Sequence, residues 1–278
     1  GVTEVMVNGD GRVWIERFGS LERTSVWLGP DAVGHLIERI LAPLGRRVDR
    51  TSPVVDARLP DGSRVNAVVA PVAVDGPCLT VRRFCARAIP LDEFAAPPVV
   101  ELLRTAVVDR RNVLVSGGTG AGKTTLLNAL AAEIDPRARV ITVEDAAELR
   151  LPGDHVVRLE AQPATAEGLG GTTIRDLVRN ALRMRPDRLI VGEVRGAEAL
   201  DMLQAMNTGH EGSLSTCHAN GPADALRRIE TMCLFGESRV PLGAVRDQVV
   251  AALDLVVQVA RTSDGGRAIA VRGPGDLD

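Results

Sequence analysis

The amino-acid sequence predicts an α/β protein in which a smaller N-terminal α/β domain precedes a larger domain built on a parallel sheet. From Val99 onward, short β-branched apolar runs alternate with segments whose apolar residues recur at helical spacing, a pattern typical of strands joined by crossover helices. The earlier part instead places short strands and tight turns around one helix. Three prolines between these parts indicate a linker. We therefore predict domains at residues 1–87 and 99–278, joined by residues 88–98.

The elements of the N-terminal domain are predicted from turn and capping signals. The segment Asn8-Gly9-Asp10-Gly11 separates two β-rich runs and favours a hairpin. Pro30 begins a segment whose apolar residues repeat at helical spacing. The predicted elements are strands 5–7 and 12–17, a helix from Pro30, and strands 54–59, 63–70 and 78–83.

The composition argues against several classes of function. The 278 residues are 45% hydrophobic and 25% charged with a net charge of −3, so no general attraction to nucleic acid is expected. Aromatic residues make up 2%, with no tyrosine, which disfavours a surface that stacks single-stranded nucleic acid. The apolar runs are far shorter than the roughly 20 residues that span a bilayer. The four cysteines include no C-x-x-C pair, so no zinc site is predicted.

A phosphate-binding loop is the strongest functional signal. Residues 117–124 read GGTGAGKT and match the pattern G-x-x-x-x-G-K-[ST] in full. A predicted strand at 112–116 precedes the loop, and a predicted helix at 124–134 follows it, so backbone N–H groups and the positive helix end can surround phosphates. The predicted nucleotide-binding residues are Gly117, Gly118, Thr119, Gly120, Ala121, Gly122, Lys123, Thr124 and Thr125.

Lysine usage supports this interpretation. Of the 33 basic residues, Lys123 is the only lysine and all the others are arginine. A compact ammonium fits between β- and γ-phosphates, whereas a planar guanidinium is wider and directs its donors differently. The Thr124 hydroxyl is the predicted ligand of Mg²⁺. The chemistry is therefore expected to use a nucleoside triphosphate and Mg²⁺.

Acidic residues and histidines supply the remaining catalytic candidates. Glu193 follows the apolar run 188–191 and is predicted to emerge at the carboxyl edge of the sheet as the residue that aligns water. Glu144 and Asp145 follow another apolar strand, and one of them is expected to act on Mg²⁺ and its water. His210 and His218 flank a further strand, where a histidine can donate a hydrogen bond to the γ-phosphoryl group.

The order of these motifs resembles one family. The phosphate loop, Val-Glu-Asp at 143–145, RMRPDRLIVGEVR at 183–195 and the two histidine motifs resemble the secretion traffic ATPases of type II and type IV systems. The similarity is greatest to the CpaF-like ATPases of tight-adherence (Tad) pili. It extends to VDARLPDGSRVN at 55–66 and TVRRF at 80–84.

The resemblance implies a RecA-like P-loop NTPase domain at the C-terminus and a PAS-like lid at the N-terminus. It places Glu144 and Asp145 in the family's acidic box and Glu193 in its Walker B element. His210 and His218 lie in its histidine box. Three further residues match N-terminal arginines that reach the nucleotide held by the C-terminal domain, namely Arg64, Arg82 and Arg83.

The implied function is a Mg²⁺-dependent ATPase that converts ATP hydrolysis into mechanical work for pilus assembly or protein secretion. Members of the family form homohexamers at the cytoplasmic face of the inner membrane and act through polytopic platform proteins, without membrane segments of their own. A hexameric nucleic-acid translocase is the alternative. Net charge and the scarcity of aromatic residues favour the secretion ATPase and predict no nucleic-acid partner.

Overall fold

The computed structural model describes residues 1–17, 19–83, 89–162, 170–235, 240–262 and 266–276. The chain separates into two compact units at residues 1–86 and 87–278. The predicted boundary between residues 87 and 88 lies outside the described residues. No helix within the described ranges is long and apolar enough to cross a membrane.

The first unit contains a six-stranded sheet whose neighbouring strands are all antiparallel. Its elements are β1 (Val2–Val7), β2 (Arg12–Arg17), β3 (Ser20–Trp27), α1 (Pro30–Leu41), β4 (Val54–Arg58), β5 (Arg64–Val68) and β6 (Cys78–Arg82). The strand order is β3-β2-β1-β6-β5-β4. The predicted hairpin and helix are confirmed, because β1 pairs with β2 and the buried residues Val33, Ile37 and Leu41 repeat every four positions along α1. The strand β3 was not predicted, since most of its residues are exposed.

The second unit contains a seven-stranded sheet in the order β13-β12-β7-β11-β10-β8-β9. Its strands are β7 (Val113–Gly117), β8 (Val140–Glu144), β9 (Val156–Glu160), β10 (Arg188–Val191), β11 (Leu214–His218), β12 (Leu255–Arg261) and β13 (Arg267–Arg272). All neighbours are parallel except β12 and β13. The helices are α2 (Pro97–Val108), α3 (Lys123–Ala131), α4 (Ile174–Ala181), α5 (Glu198–Asn207), α6 (Pro222–Cys233) and α7 (Leu242–Ala252).

Apolar layers cover both faces of this sheet. Leu114 packs into the cluster formed with α4 to α7, whereas Val113 and Val115 pack into the cluster formed with α2 and α3. Successive side chains of a strand point to opposite faces, so a strand buried on both faces must be apolar at consecutive positions. This is why the unbroken apolar runs of the sequence predicted parallel strands correctly.

The predicted linker is largely part of the second unit. Leu91 and Phe94 are 1% and 2% exposed and belong to the same apolar cluster as α3. A short 3₁₀ turn covers Leu91–Glu93, and α2 begins at Pro97. Residues 91–98 are therefore ordered structure rather than a free linker, because two apolar side chains anchor them in the core.

Candidate nucleotide site

The phosphate loop connects β7 to α3 at the carboxyl edge of the second sheet. Gly122 immediately precedes α3 and has a φ of 102°, in the left-handed region that favours glycine. A Cβ atom at Gly122 would also lie 2.9 Å from Nε of Arg267. The backbone conformation therefore favours glycine at the end of the loop, whereas the Arg267 contact involves the far end of an exposed side chain that can shift.

Lys123 is the first residue of α3 and is 7% exposed. Its Nζ donates a hydrogen bond to the carbonyl oxygen of Gly118 at 3.1 Å. The same atom lies 3.3 Å from Nδ1 and 3.4 Å from Nε2 of His218. The ammonium is thus held against its own loop, between the loop and the end of β11.

The register of the sheet brings Glu193 and His218 to this edge. In β11, His218 lies opposite Gly117 of β7. The chain continues from β10 to Glu193, whose Oε1 lies 3.2 Å from Nε2 of His218. Lys123, His218 and Glu193 therefore form a continuous polar row across the ends of three neighbouring parallel strands, the position where open α/β sheets bind ligands.

The electrostatics of this row favour an ionised carboxylate and a neutral imidazole. Burial raises the pKa of Glu193, but the hydrogen bond and charge of Arg195, with the charges of His218 and Lys123, outweigh burial and bring the pKa below its ordinary value. Burial and the charge of Lys123 lower the pKa of His218, against the opposing effect of Glu193. Near pH 7, Glu193 is ionised and His218 is mostly neutral.

Arg195 is a site residue that the sequence analysis assigned no role. Its Nε and Nη2 donate to the two carboxylate oxygens of Glu193 at 2.9 and 3.0 Å, and its Nη1 donates to Asp145 at 3.3 Å. The backbone N–H groups of Arg195 and Gly196 donate to Oε1 of Glu198 at 2.7 and 2.9 Å, which fixes this turn. The sequence signal was an arginine two residues after the candidate base, within the motif Gly-Glu-Val-Arg.

Glu144 is a buried carboxylate held by backbone hydrogen bonds. It is 3% exposed, and its Oε2 accepts hydrogen bonds from the backbone N–H groups of Glu148 and Leu149, with N···O distances of 2.7 and 2.9 Å. Burial raises its pKa, although these two hydrogen bonds oppose that effect. A Cβ atom at Gly192 would lie 2.8 Å from Cγ of Glu144, so the side chain is also tightly packed. Glu144 thus holds the loop after β8 through Oε2, and its role at Mg²⁺ stays a prediction.

Asp145 is the exposed acidic candidate next to the end of β8. Its side chain is 55% exposed and contacts Arg195. Thr124 and Thr125 lie in the first turn of α3, and both are partly buried. Hydroxyl and carboxylate oxygens are suitable ligands for Mg²⁺, which usually keeps several waters and takes only one or two protein oxygens. The donor set of Thr124 and Asp145 therefore fits this ion.

His210 lies away from the phosphate loop. It precedes β11, whereas His218 ends that strand, so the two histidines belong to opposite edges of the sheet. A parallel strand advances about 3.3 Å per residue, and the five residues of β11 separate its ends by about 13 Å. Nδ1 of His210 is buried without a hydrogen-bond partner. The structure thus brings His218, but not His210, to the predicted nucleotide site of this chain.

The N-terminal arginines lie in the first unit and are described there alone. Arg64 and Arg82 are directly opposite each other on β5 and β6, and Arg58 lies opposite Arg64 on β4. Nε of Arg82 is 3.5 Å from Glu4, and the Arg83 side chain donates to the backbone carbonyl of Val2 at 3.3 Å. Arg58 extends this row of cationic side chains across three strands, a feature that the sequence analysis missed because register is not visible locally.

The described cysteines of the second unit are poor nucleophiles. Burial raises the pKa of both Cys217 and Cys233 to about 12. A thiol with such a pKa is almost entirely protonated at neutral pH. Cys85 lies outside the described residues.

Two known proteins with names from conjugal transfer and type IV secretion are similar to nearly the whole of this chain. A protein of Mycobacterium tuberculosis described as a conjugal transfer protein is 41% identical over 282 residues, covering 97% of this chain and 80% of the relative. The type IV secretion system protein PtlH of Bordetella pertussis is 36% identical over 295 residues, covering 95% of this chain and 87% of the relative.

A solved structure and a family model agree with these relatives. The VirB11 ATPase of the Brucella suis type IV secretion system, solved with sulphate, is 30% identical, with a TM-score of 0.59. The match covers 99% of this chain and 90% of VirB11. These likenesses show an α/β protein with a RecA-like C-terminal domain and a smaller N-terminal α/β domain. The family model described as type II/IV secretion system protein matches residues 1–265. The chain therefore belongs to the family of type II and type IV secretion system ATPases.

Proposed function

We propose that this protein hydrolyses ATP to ADP and phosphate with the help of Mg²⁺. One observation carries the proposal, namely the row of Lys123, His218 and Glu193 at the mouth of the phosphate loop. The row combines a phosphate-binding cation, a neutral hydrogen-bond donor and an ionised base within hydrogen-bond distances of one another. This is the set of groups that phosphoryl transfer to water requires.

Each residue of the row has a separate task. The Lys123 ammonium and the loop N–H groups neutralise and orient the β- and γ-phosphates. Neutral His218 donates a hydrogen bond from its ring N–H group to a γ-phosphoryl oxygen. Nucleotide binding would draw the Lys123 ammonium from the Gly118 carbonyl to the phosphates, which carry much more negative charge.

Glu193 accepts the proton of the attacking water. The water oxygen forms a bond to the γ-phosphorus as the bond from that phosphorus to the bridging oxygen breaks, so ADP leaves with the bonding electrons. Each carboxylate oxygen has more than one acceptor site, so Glu193 can bind water while Arg195 holds it. Thr124 and Asp145 would hold Mg²⁺, which, when bound, adds positive charge beside the phosphate oxygens.

We also propose the finer role that the motif resemblance implies. The protein acts as a homohexamer at the cytoplasmic face of the inner membrane and transmits mechanical work to membrane platform proteins, in a pilus or secretion machine of the Tad or type IV kind. Arg64, Arg82 and Arg83 would contact the γ-phosphoryl group and couple hydrolysis to domain movement. The names of the relatives, conjugal transfer and type IV secretion proteins, support secretion machinery in general.

The decisive experiment compares phosphate release by the wild-type chain with Lys123→Ala and Lys123→Arg, each with Mg²⁺ and with a chelator. Loss of one such electrostatic contact costs about 3 kcal/mol, so both variants should lose at least about two orders of magnitude in turnover. Turnover by Lys123→Arg near the wild-type rate would refute the role given to the ammonium.

A second measurement separates the proposed role from a nucleic-acid translocase. The secretion ATPase should not respond to single-stranded DNA. Stimulation of phosphate release by such DNA that disappears as salt rises would instead indicate a translocase.

A further inference from the structure

The C-terminal hairpin contacts the phosphate loop from the side opposite to Glu193. Arg261, at the end of β12, donates from Nε to the carbonyl oxygen of Gly120 at 2.8 Å. Arg267, at the start of β13, is paired with Arg261 across the hairpin. Its Nε lies 2.9 Å from the point where a Cβ atom of Gly122 would stand. Two arginine side chains from one hairpin therefore lie against the loop that is proposed to bind phosphates.

The Arg267 guanidinium is also positioned by an aromatic ring. Its central carbon lies over the ring of Phe94, 5.2 Å from the centroid. Phe94 is 2% exposed and anchored in the apolar cluster that contains α3, whereas Arg267 itself is exposed. One face of the guanidinium thus lies over a fixed ring, and the side chain as a whole remains open to solvent at the end of the loop.

The order of the strands shows which part of a nucleotide would meet this arginine. In the spatial strand order β13-β12-β7-β11-β10, the loop follows β7. On one side of it, His218 ends β11 and Glu193 lies just after β10. The γ-phosphate must lie on that side, because the general base Glu193 and the hydrogen-bond donor His218 are there. A nucleotide is linear from γ-phosphate to nucleoside, so its nucleoside extends toward the other side, where β12 and β13 carry Arg261 and Arg267.

We propose that Arg267 recognises the nucleoside of the bound nucleotide by stacking the outer face of its guanidinium on the base, with Phe94 supporting the inner face. Arg261 is a positioning residue that holds the loop at the Gly120 carbonyl. The inference rests on the proposed binding of ATP at this loop. A guanidinium stacks well on aromatic planes, and such contacts tolerate any base, so this site supplies affinity for a nucleoside over bare phosphate.

The test compares ligands with and without a nucleoside on the full chain by isothermal titration calorimetry. Arg267→Ala should weaken ADP and ATP binding at least about tenfold while changing tripolyphosphate binding less than about twofold. Arg267→Met, which still covers Phe94 with an aliphatic chain, should behave in the same way and guards against loss of folding. Arg261→Ala should weaken all three ligands alike, and Arg261→Lys should restore binding through one hydrogen bond to Gly120.

Arg272→Ala is the matched control. Arg272 lies at the other end of β13, is exposed, and donates to the carbonyl of Val271, so its removal deletes the same charge from the same strand. It should leave all three affinities unchanged. Unchanged ADP binding by both Arg267 variants, or equal losses for ADP and tripolyphosphate, would overturn the proposal. A wild-type chain that binds tripolyphosphate and ATP equally well would also overturn it, whereas one that binds none of these ligands would refute ATP binding itself.

Discussion

Replacing Glu193 by glutamine should separate nucleotide binding from hydrolysis. The amide keeps the size and one acceptor oxygen but cannot take a proton from water. Loss of a general base costs a factor of about 10² to 10⁴, or ~3–5 kcal/mol of transition-state stabilisation. Binding should not weaken, because the lost charge lies beside Lys123 and His218, where it opposes the negative phosphates.

The structural cost of the Glu193→Gln change should be small. Its partner Arg195 is 59% exposed, and ion pairs of this kind contribute about 1 kcal/mol or less. Glu230→Gln is the matched control, because Glu230 is also mostly buried, at 16% against 21%, and also pairs with an exposed arginine, Arg246, at 3.3 Å. The control removes the same charge and the same kind of ion pair without touching the phosphate loop.

The assay measures phosphate release at saturating ATP and Mg²⁺, together with binding of a fluorescent ADP analogue. Glu193→Gln should bind the analogue as tightly as wild type and release phosphate at no more than about a hundredth of its rate. Glu230→Gln should match wild type in both. If Glu193→Gln kept more than a tenth of the turnover, or lost nucleotide binding, Glu193 would not be the base, and the exposed Asp145 would be the remaining carboxylate to test.

Three other outcomes follow from the same contacts. Arg195→Gln removes the group that lowers the pKa of Glu193, so the acid limb of the pH–rate profile should move to higher pH. An unchanged acid limb would mean that Arg195 does not control the pKa of the general base. Asp201→Asn breaks two 2.7 Å ion pairs to arginines of α4 at a nearly buried carboxylate, and Tm should fall by about 5 °C with nucleotide affinity unchanged. Arg82→Ala should lower turnover at least tenfold if the first unit acts on the γ-phosphate, and full activity would exclude that role.

The sequence could predict those parts of the site whose geometry is determined by short, continuous segments of the chain. A strand, a glycine loop and a helix in succession place Lys123 without reference to the rest of the chain. His218 ends β11, Glu193 lies two residues after β10, and parallel strands bring all their carboxyl ends to one edge. To predict that Glu193 and His218 lie close together, it was therefore enough to recognise β10 and β11 as strands of the same sheet.

The surroundings of the other candidate residues could not be predicted, because they depend on atoms from other parts of the chain. Glu144 and Asp145 are neighbouring carboxylates at the end of β8, and nothing in the sequence distinguishes them. The backbone N–H groups of Glu148 and Leu149 fold back onto Glu144 and occupy it, while Asp145 stays exposed. The position of His210 is a similar case, because its motif lies within a few residues of His218 in sequence but the whole length of β11 separates the two side chains.

The contacts around the phosphate loop show why the sequence alone could not identify which arginines belong to the site. Because every basic residue except Lys123 is arginine, residue type alone could not single out Arg195, Arg261 or Arg267. The sheet order provides the missing information, since β12 pairs with β7 although more than a hundred residues separate them. This pairing places two arginines beside the loop while β10 and β11 place Glu193 and His218 on its other side. A phosphate loop is thus local in sequence, but what each end of its nucleotide meets depends on long-range strand order.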